Sequence, residues 1–338
     1  MKNLFDYATK ELSQDAFLRW LFENYNCENE SVKNAFRKLF DSFTKDKFKD
    51  KTITDLTTVA QWKNIDISIW FKIDGIEQLI VIEDKTGSGI HDDQLARYEK
   101  EIIGHNVFWR NEENRKKYGC ERYIENNGNV FKVFYKTNII DEWEAEHAED
   151  LGWKTYDIYS IYDLFKDIET DNEVLGYYVE YIKKIHSAAR RELPPSEWGL
   201  ISWHSFFNDY HPLGCISEKK EISCYRKEYY YIKFFVKGHE DDMPCFEIRS
   251  RDFQFDKSCG KCSIAVRAVL YNLSEQANAE SIEAWQQSFK KYGFKLNYRM
   301  DTAKHKQIGT IKIMNFEDND QALANVLNNI TILLSEIF

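Results

Sequence analysis

Two carboxylates and a lysine lie on two segments that alternate in hydrophobicity and are joined by a two-residue loop. The segments are residues 65–73 and 76–85, with Asp74-Gly75 between them. Asp-Gly is a strong hairpin signal, and a loop of two residues fixes the pairing register so that Asp66 lies opposite Glu83. Strand alternation adds Lys85 to the same face and points the Asp84 side chain away. The pattern therefore predicts a compact acid-acid-lysine group.

These residue types suit chemistry at phosphorus. Facing carboxylates repel, at a cost of a few tenths to about 1 kcal/mol, and a divalent cation between Asp66 and Glu83 would remove that cost. Mg²⁺ binds one or two carboxylates, keeps several waters, and can polarise a phosphoryl oxygen and generate hydroxide. Lys85 could orient or deprotonate a water, or stabilise charge developing on phosphate.

A surface hairpin with a polar outer face is the alternative interpretation. Lys72 opposite Glu77 is the kind of solvated pair that such a hairpin would carry. The face with the two acids also carries Trp70, Leu79 and Val81, so it is not simply a wet surface. From the register alone, both interpretations remain open.

The elements around the hairpin follow from apolar periodicity. A helix is predicted from Ser13, as N-cap, to Asn24, and a second one carries Val32, Phe36, Leu39 and Phe40. Further helices are predicted over residues 91–103, 161–168 and 173–186, and strands over 130–135 and 154–158. The sequence predicts an α/β unit with a mixed sheet flanked by helices.

The composition indicates a globular protein without a membrane span. The chain has 338 residues, 43% of them hydrophobic, and its net charge is −10. Residues 1–190 carry −9 of that charge and residues 191–338 carry −1, so the acid accompanies the predicted metal site. The N-terminal residues resemble no secretory signal, and seven scattered cysteines are most simply free thiols. We expect a cytoplasmic protein.

A second domain is predicted after Pro194-Pro195, giving domains over residues 1–190 and 191–338. The second half reads as an α+β domain with an antiparallel sheet. Its strands are predicted over 229–236, 245–249, 263–270, 294–298 and 309–314, and its helices over 281–292 and 320–337. Its role is left open between substrate recognition, regulation and dimerisation.

The motifs of the first half resemble the PD-(D/E)XK nuclease superfamily. Ile65-Asp66-Ile67 followed by Glu83-Asp84-Lys85 is similar to its D…(D/E)xK signature, although Ile65 stands where the family name has proline. Gln94 to Tyr98 resembles the QxxxY helix of its exonuclease-like branches. Residues 11–21, which begin with Glu11, resemble the helix that opens many bacterial members.

The resemblance implies Mg²⁺- or Mn²⁺-dependent phosphodiester hydrolysis. Asp66 and Glu83, with the main-chain carbonyl of Asp84, become metal ligands, and Lys85 the catalytic lysine. Glu11 becomes a further acidic catalytic residue, although Asp15 one turn later is an alternative. Gln94 becomes a supporting residue of the active site and Tyr98 a substrate contact. Ser88 and Arg97 are further predicted substrate contacts, Ser88 because small-residue loops can offer N–H groups to phosphate.

Three features of the second half have two interpretations each. Tyr229-Tyr230-Tyr231 with nearby lysines fits a half-buried strand better than a base-stacking platform. Cys259-Gly260-Lys261-Cys262 fits a turn with free thiols better than a zinc site, because a second ligand pair is missing. The last amphipathic helix fits the domain core, with a homodimer seam as the alternative.

These observations predict a Mg²⁺-dependent nuclease acting on nucleic acid, with DNA favoured over RNA. By analogy with bacterial relatives, we expect a role in defence against phage or mobile DNA. A non-catalytic binding protein on a nuclease scaffold is the rival hypothesis. A third is an effector whose second domain senses a ligand and gates the nuclease.

Overall fold

A computed structural model describes most of the chain. The described residues are 3–7, 11–90, 93–211, 216–226, 228–236, 245–271, 287, 289–291, 293–296, 300–302 and 305–335. The chain divides into two compact units, residues 1–187 and 188–338. No helix within the described ranges is long and apolar enough to cross a membrane.

The first unit alternates helices and strands. Its helices are α1 (Glu11–Glu23), α2 (Glu30–Phe43), α3 (Gln94–Arg110), α4 (Glu112–Tyr118), α5 (Glu142–Asp150), α6 (Ile158–Phe165) and α7 (Glu173–Ala189). Its strands are β1 (Ile53–Trp62), β2 (Ile65–Ile73), β3 (Ile76–Lys85), β4 (Val130–Lys136) and β5 (Lys154–Tyr156).

The five strands form one mixed sheet in the order β1-β2-β3-β4-β5. Strands β1, β2 and β3 pair antiparallel, whereas β3, β4 and β5 pair parallel. Parallel neighbours need crossover connections, which the segments containing α3 and α5 supply. The predicted α/β fold with a mixed sheet flanked by helices is confirmed.

The hairpin register is confirmed. Ile73 pairs with Ile76 and Ile67 with Ile82, and Asp74 and Gly75 adopt φ of 52° and 79° in the turn. Positive φ at both loop residues is the geometry that Asp-Gly favours. Strand β1 was missed by the periodicity argument because it is an edge strand whose residues are exposed or half-buried, so its alternation is weak.

Helices cover both faces of the sheet. On one face aromatic side chains interlock, with the rings of Phe40 and Phe71 5.1 Å apart and those of Phe43 and Tyr156 5.0 Å apart. On the other face α3 contributes the buried side chains Leu95, Tyr98 and Ile102, which pack with Trp70, Leu79 and Val81 of the hairpin. The hairpin is therefore buried on both sides, and the surface-hairpin alternative is wrong.

The second unit is an antiparallel sheet with helices. Its helices are α8 (Leu200–Asp209) and α9 (Asp320–Ser335), and its strands are β6 (Ile216–Tyr225), β7 (Tyr229–Val236), β8 (Cys245–Arg249), β9 (Gln254–Asp256), β10 (Lys261–Tyr271), β11 (Lys295–Leu296), β12 (Met300–Thr302) and β13 (His305–Phe316). The central order is β11-β13-β10-β8-β7-β6.

Several predicted boundaries are corrected. Helix α1 begins at Glu11, so Ser13 lies inside the helix and is not its N-cap. Strand β5 ends at Tyr156, because Asp157 caps α6 by accepting a hydrogen bond from the Ser160 N–H. Helices α4 and α5 were not predicted. The predicted helix over residues 281–292 lies largely outside the described residues.

Candidate active site

The Lys85 ammonium lies among three oxygen atoms at the end of β3. It donates hydrogen bonds to Glu83 Oε1 and, over 3.2 Å, to the main-chain carbonyl of Asp84. Asp66 Oδ2 lies 3.8 Å from the same nitrogen. Two carboxylates and one carbonyl thus converge on a single positive charge. The structure brings Asp66, Glu83 and Lys85 together, as the register predicts.

The hairpin ladder ends where the acids begin. The last regular pair is Ile67 with Ile82, and beyond it Asp66 Oδ2 accepts a hydrogen bond of 3.0 Å from the Asp84 N–H. The side chain of Asp66 therefore satisfies a strand N–H. Its other oxygen accepts a hydrogen bond from Gln61 Nε2 over 3.1 Å. Asp66 is fixed on both sides, and its side chain is 17% exposed.

Gln94 of α3 contacts both Glu83 and Tyr98. Gln94 Nε2 lies 2.7 Å from both Glu83 Oε1 and the Tyr98 hydroxyl. Residues four apart share a helix face, so one turn of α3 supplies both groups. Tyr98 is buried, and its hydroxyl contacts Gln94. Its predicted role as a substrate contact stays a prediction.

The pocket shifts the acidity of its side chains. Burial, and then the nearby Asp66 charge, raise the pKa of Glu83 to about 8 against the opposing effect of Lys85. Burial, followed by the Glu83 charge, raises the pKa of Tyr98 to about 12. A protonated acid in the middle of an acidic cluster marks a place where added positive charge would be favourable.

The donor set fits a hard divalent cation. Mg²⁺ and Mn²⁺ prefer carboxylate and carbonyl oxygens, and Mg²⁺ commonly uses one or two carboxylates with several waters. Glu83 Oε2 is buried and has no hydrogen-bond partner among the described residues, so it is available as a ligand. No group of three acids, histidines or cysteines suited to a metal occurs among the described residues, so this site would rely on Asp66, Glu83 and the Asp84 carbonyl.

The Asp84 side chain lies on the opposite face of β3. It is fully buried and accepts a hydrogen bond from Gln14 of α1. Burial, and then the nearby charge of Asp15, holds the pKa of Asp84 well above its usual value. Asp15 thus faces Asp84, away from Glu83. Glu11 is the first residue of α1, and its side chain lies outside the described part of the structure.

The other two predicted substrate contacts follow Lys85 in the chain, one in the loop after β3 and one on α3. Ser88 is half-buried in the loop after β3. Arg97 is exposed on α3, with its guanidinium 5.8 Å from the centre of the Tyr98 ring. The roles of both residues stay predictions.

A buried ion pair that the sequence argument missed supports the loop after Lys85. Lys136 is the parallel-strand neighbour of Lys85, and its ammonium lies 2.6 Å from Glu144 Oε2. Glu144 Oε1 accepts a hydrogen bond of 3.1 Å from the Ile90 N–H. A Cβ on Gly89 would come within 2.9 Å of that oxygen, so glycine permits this close approach. Both charged side chains are at most 3% exposed.

The fold and the site together define the class. The first unit has a mixed five-stranded sheet flanked by helices, with an acid at the start of β2 and an acid and a lysine at the end of β3. This arrangement is a restriction-endonuclease-like core. A family model described as the PD-(D/E)XK nuclease superfamily matches residues 2–183. The chain belongs to this superfamily. Comparisons with curated proteins and with solved structures gave no match.

Proposed function

We propose that the protein is a divalent-cation-dependent nuclease that hydrolyses phosphodiester bonds, with DNA as the favoured substrate. The carrying observation is the convergence of Asp66 Oδ2, Glu83 Oε1 and the Asp84 carbonyl on the Lys85 ammonium. A role in defence against phage or mobile DNA is part of the proposal and rests on family analogy alone.

The ligands would be Asp66, Glu83 and the Asp84 carbonyl. A bound Mg²⁺ or Mn²⁺ would supply Lewis acidity and lower the pKa of a water molecule. Neighbouring groups of the protein hold the two carboxylate ligands in position. Gln94 holds Glu83 Oε1 in one orientation, and the Asp84 N–H does the same for Asp66. Ligands held in advance need no reorganisation when the substrate arrives.

Lys85 supplies positive charge at the reacting phosphate. Lys85 is 5% exposed, and its ammonium donates hydrogen bonds to Glu83 and to the Asp84 carbonyl. A fixed ammonium in a pocket of low polarity stabilises the charge that develops on phosphoryl oxygens more strongly than one in water. We assign Lys85 to this role and to orientation of the attacking water.

The decisive experiment is cleavage of labelled DNA and RNA, single- and double-stranded, with Mg²⁺ or Mn²⁺. Wild type should cleave at least one substrate, whereas Lys85→Ala and Glu83→Ala should not. Lys72→Ala is the matched control, because Lys72 is an ion-paired lysine of the same hairpin that lies away from the site. Cleavage that survives both site substitutions would overturn the assignment.

Metal binding separates a nuclease from a binding protein on a nuclease scaffold. We expect Mg²⁺ or Mn²⁺ to raise the thermal midpoint of wild type, since a ligand that binds only the folded state stabilises it. Asp66→Ala should abolish that shift. An absent shift combined with nucleic-acid binding but no cleavage would favour the non-catalytic protein.

A further inference from the structure

The sheet of the second unit has two unlike faces. Along β7, Tyr230, Ile232 and Phe234 are buried in the core with α8 and α9. The alternate residues Tyr229, Tyr231 and Lys233 point to the other side, as strand geometry requires. On that side Tyr231 and Lys233 are half-buried, as expected for a half-buried strand, whereas Tyr229 is buried.

Charges on the outer face are mostly paired. The described ion pairs there are Lys233 with Glu221 at 3.3 Å, Arg267 with Asp252 at 2.8 Å, and Arg249 with Glu247. Arg226 and Arg251 make no ion pair with any described residue, and both are exposed. One corner of this face therefore carries two exposed positive charges without an ion-pair partner in the described part of the chain.

Both unpaired arginines lie over tyrosine rings. The Arg251 guanidinium lies 4.1 Å from the centre of the Tyr229 ring, and that of Arg226 lies 5.1 Å from the centre of the Tyr225 ring. The two rings stack, with centroids 5.3 Å apart and planes at 29°. Tyr225 is 40% exposed, whereas Tyr229 is 6% exposed, so Tyr225 is the ring of the pair that solvent reaches. We name these four residues, Tyr225, Arg226, Tyr229 and Arg251, the outer tyrosine patch.

We propose that the outer tyrosine patch binds single-stranded nucleic acid. Nucleobases stack on exposed tyrosine rings such as Tyr225 and on guanidinium planes, and the exposed Arg226 and Arg251 attract the phosphate backbone. The bases of a duplex hide their faces in the helical stack, so a flat aromatic and cationic surface selects single strands. This binding needs neither a metal nor Lys85, so it goes beyond the proposed cleavage reaction.

The test is fluorescence anisotropy of short labelled single-stranded DNA and RNA with the full-length chain. The chain carries Lys85→Ala and the buffer contains EDTA, so no cleavage intervenes. The double variant Tyr225→Ala/Arg251→Ala should bind about tenfold more weakly or worse, as expected for loss of one stacked base and one phosphate contact. Tyr225→Phe should retain affinity because stacking needs the ring and not the hydroxyl.

The matched control is Tyr118→Ala/Lys117→Ala, which removes another exposed tyrosine and a lysine 4.9 Å from its ring, in the first unit. The control should bind as tightly as its parent. Equal affinity of the patch variant and its parent, equal losses in patch and control variants, tighter binding of a duplex, or no binding of any oligonucleotide would each overturn the proposal. Cleavage assays do not enter this comparison, so a failed nuclease assignment would leave it intact.

Discussion

Strand β3 carries a buried acidic cluster on each of its faces, and the two clusters differ in their partners. On one face Glu83 lies with Asp66 and contacts the Lys85 ammonium. On the other face Asp84 lies with Asp15 and contacts the neutral amide of Gln14. Burial raises the pKa of both Glu83 and Asp84, but only Glu83 has a cation beside it.

This difference in partners indicates which face of β3 could bind a metal ion and catalyse hydrolysis. Burial favours the protonated form of both acids, and a metal ion can displace that proton only where further ligand oxygens lie beside the acid. The Glu83 face combines ligand oxygens, a positive charge and a partly exposed Asp66, whereas the Asp84 face is closed by α1. We therefore interpret the first face as the site and the second as the packing that holds β3 in place.

The largest expected effect is on the cleavage rate, and it tests the difference between the two faces of β3. Glu83→Gln should lower the single-turnover cleavage rate by about 10³-fold, or roughly 4 kcal/mol, because it removes a charged ligand. Asp84→Asn should lower the rate by less than about tenfold, since the Asp84 carbonyl is main chain and its side chain faces away. Rates measured at saturating metal would test both variants.

Similar losses in the two variants would contradict the division of roles between the faces. Far-ultraviolet circular dichroism of both variants provides the folding control. A large loss in Asp84→Asn alone would place the chemistry on the face of α1.

The second prediction concerns the other buried lysine on the site face. Lys136→Met should lower the free energy of unfolding by about 3 kcal/mol, because Glu144 is left buried without its partner. The double variant Lys136→Met/Glu144→Gln should recover part of that loss. Urea denaturation measures both, and a loss below about 1 kcal/mol in the single variant would show that the pair contributes little.

Hydrogen exchange would sharpen this result. Glu144 accepts the Ile90 N–H, so Glu144→Ala should expose that amide to exchange, whereas Glu144→Gln retains an acceptor oxygen. Unchanged protection in both variants would mean that the loop after β3 is held by other contacts.

The sequence predicted the hairpin and its acids because that information is local. A two-residue Asp-Gly turn and strict alternation determine register without knowledge of the rest of the fold. Contacts between distant segments left no such pattern. Gln14 contacts Asp84 across 70 positions. Lys136 lies in a strand with a second lysine and Glu144 in a helix rich in acids, so no periodicity marks either residue as buried.

The edge strand β1 and the second unit also contain features that no local sequence pattern predicts. Strand β1 was missed because an exposed edge has little apolar alternation. For β7 the sequence indicated a half-buried strand. The arginines that lie over Tyr225 of β6 and Tyr229 of β7 come from the turn between these strands and from the segment after β8. Only the fold brings Arg251 to Tyr229.

The third prediction uses the raised pKa of Glu83. In metal-free protein, folded Glu83 keeps its proton up to about pH 8, whereas the unfolded side chain loses it near its ordinary value of 4.5. The folded state therefore binds more protons within this window, and its stability falls as pH rises through it. From pH 5.5 to 7 the loss from this group should be about 2 kcal/mol.

Glu83→Gln should remove that part of the pH dependence, because glutamine does not titrate. Unfolding free energies measured in EDTA at both pH values, for wild type and variant, give the test. Equal slopes in the two proteins would show that Glu83 titrates normally in the folded state.

The smallest expected effects come from the two glutamines, one on each face of β3. Gln94 donates to Glu83 and Gln14 donates to Asp84, so each alanine substitution should lower the free energy of unfolding by about 0.5–1.5 kcal/mol through the loss of one hydrogen bond. The comparison predicts different readouts. Gln94→Ala should weaken Mn²⁺ binding, measured by calorimetry, since Glu83 loses its fixed orientation. Gln14→Ala should lower the unfolding free energy and leave Mn²⁺ affinity within about threefold of wild type, because its hydrogen bond stabilises the packing of α1 and not the ligands. Equal weakening of Mn²⁺ binding in both variants would mean that the two faces act as one site.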